Sequence, residues 1–216
     1  MDEKRDEKHS YWQSRLAEVK RALEKNGIAA LVVETGGDAR KRALSLIRKG
    51  ATVGLGGSRT VSEIGLLDAL RAGSYNLIDQ YDTNLSREAA MKARKDGTHA
   101  EYFVAGSNAI TQDGKIVNID GMGNRVAAFA YGPDRVIIVA GRNKIVKDLD
   151  AALHRIKNVA APMNARRFKA DTPCAMGSSC SDCAGAERIC NVTLIIERQR
   201  DPQRITVILV NEDLGF

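Results

Sequence analysis

Between Ile28 and Ala105, apolar runs of strand length alternate with amphipathic stretches at helical spacing. The strand-length runs are 28–33, 52–55, 75–78 and 102–105. Ahead of them, Trp12, Leu16, Val19 and Leu23 share one helical face, with Gly27 placed as a C-cap. A second helix is expected over 38–49, stopped by Gly50. A third should begin at Thr60, which stands at capping-box spacing from Glu63, and run to Leu70; a fourth covers 86–95. Strands that alternate with helices in this way bury both faces of a largely parallel sheet, so the expected class is α/β.

Beyond residue 106 the pattern turns to β. Runs at 115–119 and 125–130 flank a turn rich in Asp and Gly, and 135–140 follows. Residues 148–157 are helical, with Leu149, Ala152, Leu153 and Ile156 on one face, and strands return at Val192–Ile196 and Ile205–Val210. The first eight residues alternate acid and base and read as a frayed lead-in. Residues 162–190 show neither period. So long a stretch needs a function or a cross-link, and it is expected to pack as an excursion on one domain spanning 1–216.

Composition narrows the function classes. The longest apolar runs, such as 136–140, fall far short of the roughly 18–20 residues that cross a bilayer. The opening residues carry no signal-peptide core, so no membrane association and a cytoplasmic location are expected. Lys and Arg number 33 against 27 acids, a net charge of +6 that suits an anionic small molecule or an acidic partner. Five Tyr, four Phe and one Trp supply a base-stacking platform poorly, which argues against nucleic acid. His9, His99 and His154 lie far apart without ligand spacing, and no nucleophile elbow or HExxH helix occurs.

Three constellations can carry chemistry. In Gly54-Leu55-Gly56-Gly57-Ser58-Arg59-Thr60, glycines turn the chain tightly at a strand end ahead of a helix. Free N–H groups, with the Ser58 and Thr60 hydroxyls and the Arg59 charge, suit phosphate or carboxylate. It has neither the P-loop nor the dinucleotide spacing, and a tight βα turn with an N-cap explains it equally well. The second constellation runs from Gly106-Ser107-Asn108 to Asn118-Ile119-Asp120-Gly121-Met122-Gly123-Asn124-Arg125. Two turns account for Asp113-Gly114 but need fewer hydrogen-bonding side chains than Asn108, Asp120, Asn124 and Arg125 supply. In parallel sheets ligands sit beyond the carboxyl ends of strands, so Gly57, Ser58 and Thr60 are expected to share a pocket with those four.

The third is Cys174-x5-Cys180-x2-Cys183-x6-Cys190. Clustered thiols in a chain of this type suggest one metal centre ahead of disulfides or inert buried thiols. Zinc ribbons usually show two close pairs, whereas a single pair with two flanking cysteines suits a [4Fe–4S] cluster better, with zinc as the alternative. Gly177, Ser178, Ser179, Ser181 and Gly185 give the backbone freedom to wrap such a centre, and Arg188 is the nearest charge to tune it.

Several of these stretches also resemble the LUD-domain family, a lactate-utilisation group. The likeness is carried by Val53-Gly54-Leu55-Gly56-Gly57-Ser58-Arg59-Thr60-Val61-Ser62-Glu63-Ile64-Gly65, by Gly106-Ser107-Asn108-Ala109-Ile110-Thr111 and by Asn118-Ile119-Asp120-Gly121-Met122-Gly123-Asn124-Arg125. Gly132-Pro133, Ala140-Gly141-Arg142-Asn143-Lys144 and Ala161-Pro162-Met163-Asn164-Ala165 continue it. The resemblance covers nearly the whole chain, and the cysteine segment looks like that of a branch carrying its own cluster. It implies a fold similar to the sugar-phosphate isomerase and CoA-transferase superfamily. There the turn matching Gly57, Ser58 and Thr60 holds phosphate or acyl-CoA. It also implies a role in oxidising L-lactate to pyruvate with iron–sulfur or oxidoreductase partner proteins. No Glu nucleophile of the CoA-transferase kind can be placed here. The competing classes are a metabolite-sensing module with a purely structural metal, and an isomerase-like enzyme acting on a sugar phosphate or CoA ester.

Overall fold

The alternation is realised in the order that the pattern requires. A computed structural model describes residues 3–177 and 179–216; Met1 and Asp2 of the lead-in and Ser178 of the cysteine segment lie outside the described residues. The chain runs through α1 (Glu3–Lys25), β1 (Ala29–Val33), α2 (Gly36–Leu46), β2 (Thr52–Leu55), α3 (Arg59–Glu63), α4 (Leu66–Ala72), β3 (Asn76–Ile78), α5 (Arg87–Asp96) and β4 (Tyr102–Gly106). It continues through β5 (Ala109–Thr111), β6 (Ile116–Asp120), α6 (Asn124–Ala130), β7 (Arg135–Gly141), β8 (Ile145–Val146) and α7 (Leu149–Arg155). Last come α8 (Ala161–Phe168), α9 (Pro173–Met176), β9 (Val192–Ile196) and β10 (Ile205–Val210).

The main sheet has the order β1-β10-β7-β4-β2-β3, and every neighbouring pair is parallel. Its central strands are apolar on both faces, as sheets covered on both sides must be. Val136, Ile138 and Ala140 of β7 pack with Leu16, Val19 and Leu23 of α1 and Phe129 of α6. Ile137 and Val139 point the other way, onto Ala39 and Ala43 of α2 and Leu66 and Leu70 of α4. A second sheet has the order β8-β5-β6-β9, with β6 antiparallel to both neighbours. Ala152 and Ile156 cover it against Ala109, Val117 and Ile119.

Four local departures from the sequence expectation matter for the site. Residues 3–8 belong to α1, so the lead-in is helical backbone. The helix after the Gly-rich turn is capped by Ser58, whose Oγ accepts from the Val61 N–H at 3.2 Å, and Gly65 in the left-handed region divides it into α3 and α4. The Thr60–Glu63 capping box does not form. Residues 125–130 are helix where a strand was expected. Val126, Ala128 and Ala130 mimic period two, but Arg125, Val126, Ala128 and Phe129 are the buried set, at helical spacing. Finally, 162–190 is not structureless at its start. The α7 helix passes through a π turn at Ile156–Ala160 into α8, where Pro162 sits in the first turn and needs no N–H partner.

Candidate functional site

Because the main sheet is parallel, β7, β4, β2 and β3, which are adjacent, all end on one side. The turns that follow them carry Lys144, Asn108, Ser58 and Tyr81 respectively. Together with the end of β6, the start of α6 and the end of α8, they enclose a cavity of about 320 Å³. All seven residues expected to share a pocket line it: Gly57, Ser58, Thr60, Asn108, Asp120, Asn124 and Arg125. Tight packing shapes the turn. A Cβ on Gly57 would stand 2.4 Å from the Tyr81 hydroxyl, and one on Gly56 would press on Ala105, Phe103 and Arg125.

The seven do different work. Arg125 and Asp120 form a buried ion pair, with Nη2 and Nε at 2.6 and 2.9 Å from the same carboxylate oxygen. The other Asp120 oxygen accepts from the Val126 N–H at 3.0 Å, which holds the first turn of α6. Arg125 also donates to Asn108 Oδ1 at 2.8 Å and to the Gly106 and Ile119 carbonyls. Asn108 Oδ1 accepts the Ile119 N–H as well, at 3.0 Å. These three side chains are therefore the brace of the pocket floor. Thr60 is buried and its hydroxyl donates to the Leu214 carbonyl at 3.3 Å. Ser58 Oγ is occupied as an acceptor by its cap, leaving its own O–H to donate. The Asn124 amide makes no hydrogen bond among the described residues and faces the cavity.

Charges not singled out in the sequence complete the wall. Arg94, Arg167 and Lys144 all line the cavity, and none pairs with a side-chain carboxylate among the described residues; Lys144 Nζ meets the Phe216 main-chain oxygen. Arg94 reaches Gln80 Oε1 at 2.7 Å, and Arg167 lies over the Phe168 ring at 4.5 Å. The Arg167 guanidinium is held below its ordinary pKa by burial first and by Arg59 and Arg125 next, with Tyr81 opposing. Lys144 is buried, and desolvation, with Arg155 and Arg125 adding positive charge, brings its pKa down to about 7. The only side-chain carboxylate on the cavity wall among the described residues is Asp120, already committed to Arg125. Arg167 was invisible in the sequence because its stretch read as loop. Arg94 read as one more charge on an exposed helix face. Lys144 stood in a family-like motif, but with no spacing signal of its own.

The cysteine segment forms another wall. Cys174 is buried in α9, while Cys180, Cys183 and Cys190 are half-buried free thiols. Cys190 lines the cavity next to Ile189. Its thiol pKa is raised by burial first, lowered by Arg188, and raised again by Cys180, Cys183 and Cys174. Among the described residues, no three His, Cys, Asp or Glu side chains are grouped closely enough to hold a metal ion. Four soft thiols remain a donor set that fits iron–sulfur or zinc chemistry. Arg188 straps the segment, donating to the Cys190 carbonyl at 3.1 Å, to the Cys183 carbonyl, and to Asp182 at 2.9 Å. The Asn191 N–H bonds the Asp120 carbonyl at 2.9 Å, which joins this wall to the pocket floor.

Residues 16–210 match the model of the LUD domain. A solved DUF162 family protein from Deinococcus radiodurans superposes with a TM-score of 0.53 at 14% identity, covering 93% of this chain and 98% of that one. Chaetomium thermophilum eIF2B beta gives a TM-score of 0.38 at 17% identity, over 53% of this chain and 44% of that one. No curated protein matches the chain. No helix of the described residues is long and apolar enough to cross a membrane.

Proposed function

The chain belongs to the LUD-domain family, and from that premise we propose that it binds a small organic anion in the strand-end cavity, beside a four-cysteine metal centre, in the utilisation of lactate or a related hydroxy acid. One observation carries the binding reading: Arg94 and Arg167 face a cavity whose only side-chain carboxylate among the described residues is already paired. Uncompensated cations on a partly desolvated wall favour an anionic occupant, and guanidinium groups suit carboxylates by bidentate hydrogen bonding. Asn124 and the Ser58 hydroxyl supply uncharged donors that can fix such a ligand's orientation.

Cys174, Cys180, Cys183 and Cys190 would hold the metal, with [4Fe–4S] as the first choice and zinc as the alternative. A cluster bound there would supply an electron relay to iron–sulfur or oxidoreductase partner proteins; a zinc ion would only order the segment. The cytoplasm is the setting in which four free thiols of this kind persist. The position of Cys190 on the cavity wall also favours a second reading, in which a structural metal shapes a metabolite-sensing pocket without redox chemistry.

Calorimetry with L-lactate, pyruvate, phosphate and acetyl-CoA tests the pocket. At least one should bind, with affinity that falls in Arg167→Ala and Asn124→Ala. If none binds the folded protein, the anion reading fails. Anaerobic reconstitution with iron and sulfide, followed by metal analysis and reduction, tests the centre. Brown, reducible protein supports the relay, colourless zinc protein supports the sensor, and no metal uptake overturns both.

A further inference from the structure

Tyr81 follows β3 and lines the cavity, and neither the brace of the pocket floor nor the thiol segment uses it. Its neighbour Gln80 is 6% exposed, and the Gln80 amide can stand only one way round. Gln80 Oε1 accepts from Arg94 Nε at 2.7 Å, and a guanidinium can only donate. Gln80 Nε2 donates to the Leu55 carbonyl, which can only accept. The same nitrogen turns its other hydrogen to the Tyr81 hydroxyl oxygen at 3.0 Å. Tyr81 is therefore an acceptor toward Gln80, and its own O–H has no acceptor among the described residues.

Packing keeps that hydroxyl at the wall. It lies against Gly57, where a Cβ would stand 2.4 Å from it, so the bare glycine of the strand-end turn is what admits it. Gly57, Arg94 and Arg167 line the same cavity. Burial raises the Tyr81 pKa above its ordinary value, with Arg94, Arg167 and Arg125 opposing, so the phenol keeps its proton near neutrality. One buried amide thus carries two different donors at the cavity. Arg94 is charged and suits a carboxylate; the Tyr81 O–H is neutral and suits an uncharged oxygen.

We propose that Tyr81 is a specificity-determining residue, donating its O–H to the oxygen on carbon 2 of a small 2-hydroxy or 2-oxo acid whose carboxylate is taken by Arg94 and Arg167. The proposal rests on the anion reading and deepens it to a substrate class, set apart from plain carboxylates. Two donors borne by one amide suit oxygens on neighbouring carbons. The donor serves both oxidation levels, because a hydroxyl oxygen and a ketone oxygen can each accept. A ligand without that oxygen leaves the O–H unpaired at the wall, and a site built to hydrogen-bond one group rejects the analogue that lacks it.

The test is calorimetry of the whole protein with L-lactate, pyruvate and propionate, which share charge and chain length and differ only at carbon 2. Lactate and pyruvate should bind about tenfold more tightly than propionate. Tyr81→Phe, which keeps the ring and removes the O–H, should bring both down to the propionate affinity and leave propionate unchanged. Gly57→Ala, whose methyl displaces the hydroxyl, should narrow the same gap, whereas Arg167→Ala should weaken all three acids alike. Equal binding of the three acids by the unaltered chain, or binding of phosphate or acetyl-CoA alone, overturns the assignment and leaves the anion pocket standing. So does a gap that survives Tyr81→Phe. A Tyr81→Phe protein that unfolds at the wild-type temperature yet loses all three acids equally makes Tyr81 a packing residue and also overturns it. No binding of any of these anions overturns both readings.

Discussion

Asp120 and Cys190 both line the cavity, yet they are held in different ways. Asp120 ends β6, is buried, and spends its carboxylate on Arg125 and the α6 backbone. Around it, Asn108 and Arg125 tie the ends of β4 and β6 together, with apolar cores on both faces of the main sheet behind them. Cys190 ends a stretch held chiefly by Arg166 and Arg188 reaching backbone carbonyls, with Cys174 as its buried apolar anchor. The first wall is preorganised by the fold. The second has few contacts of the kind that resist local opening, and four thiols that a metal could join.

The largest effect should come from removing the joint. Cys183→Ser is expected to abolish stable metal uptake. Hydrogen exchange should then resemble that of metal-free wild type over 170–190 while the sheet stays protected. Equal exchange in the metal-loaded and metal-free wild type would break the contrast between the walls.

Asp120→Ala attacks the preorganised wall. It leaves Arg125 buried without its counter-charge, a change that typically costs about 3–5 kcal/mol. Both partners are about nine-tenths buried, so solvent does little to soften the loss. Denaturant unfolding should show the loss globally. Asp120→Asn, which keeps the shape and one acceptor, should recover part of it.

Lys144 belongs to the same wall and gives it a pH signature. Its folded pKa, about 7, lies below the ordinary lysine value of 10.5, so the unfolded chain binds the extra proton between those pH values. Wild-type stability should therefore rise from pH 7 toward pH 10 on this account, by an amount on the order of a few kcal/mol. Below pH 7 both states are protonated and the penalty is complete. Lys144→Met removes it, so the variant should be the more stable near neutrality, with an advantage that shrinks as pH rises. An advantage independent of pH would place the burial penalty elsewhere.

How much of each wall was legible in the sequence follows from the same difference. The strand runs Thr52–Leu55 and Ile205–Val210 occur where the apolar pattern puts them, because buried parallel strands must be apolar on both faces. The rule that ligands gather at strand carboxyl ends joins the Ser58 and Asn108 turns from sequence alone. Period alone could not separate strand from helix over 125–130, and only the helix brings Arg125 back onto Asp120. The cation set was hidden for another reason. Arg94, Lys144 and Arg167 stand on three separate elements and share no sequence spacing, so only the tertiary fold brings them together. Pro162 masked α8, and with it the route by which Arg167 reaches the cavity.

Arg167→Ala should be milder than either change to the brace, because this side chain reaches solvent and holds no buried partner. Loss of one guanidinium contact to a carboxylate is expected to weaken anion binding by about tenfold with little change in unfolding. A loss of stability with affinity unchanged would move Arg167 from ligand binding to packing against Phe168 and Phe216.

The smallest effect, and the finest test of the comparison, concerns Arg188. Its guanidinium joins the Cys183 and Cys190 carbonyls and the exposed carboxylate of Asp182, so it does by hydrogen bonding what a metal would do through sulfur. Removing donors to exposed or half-buried acceptors costs little, since water replaces them. Arg188→Ala should leave global unfolding unchanged and raise exchange of the 180–190 amides by no more than about tenfold in the metal-free protein. Once metal is bound, the difference should shrink, because the thiolates then hold the same two ends. The two restraints are thus redundant in the loaded state and separable in the empty one. Should Arg188→Ala unfold the protein as Asp120→Ala does, the cysteine wall would be part of the preorganised frame, and its order would owe nothing to metal.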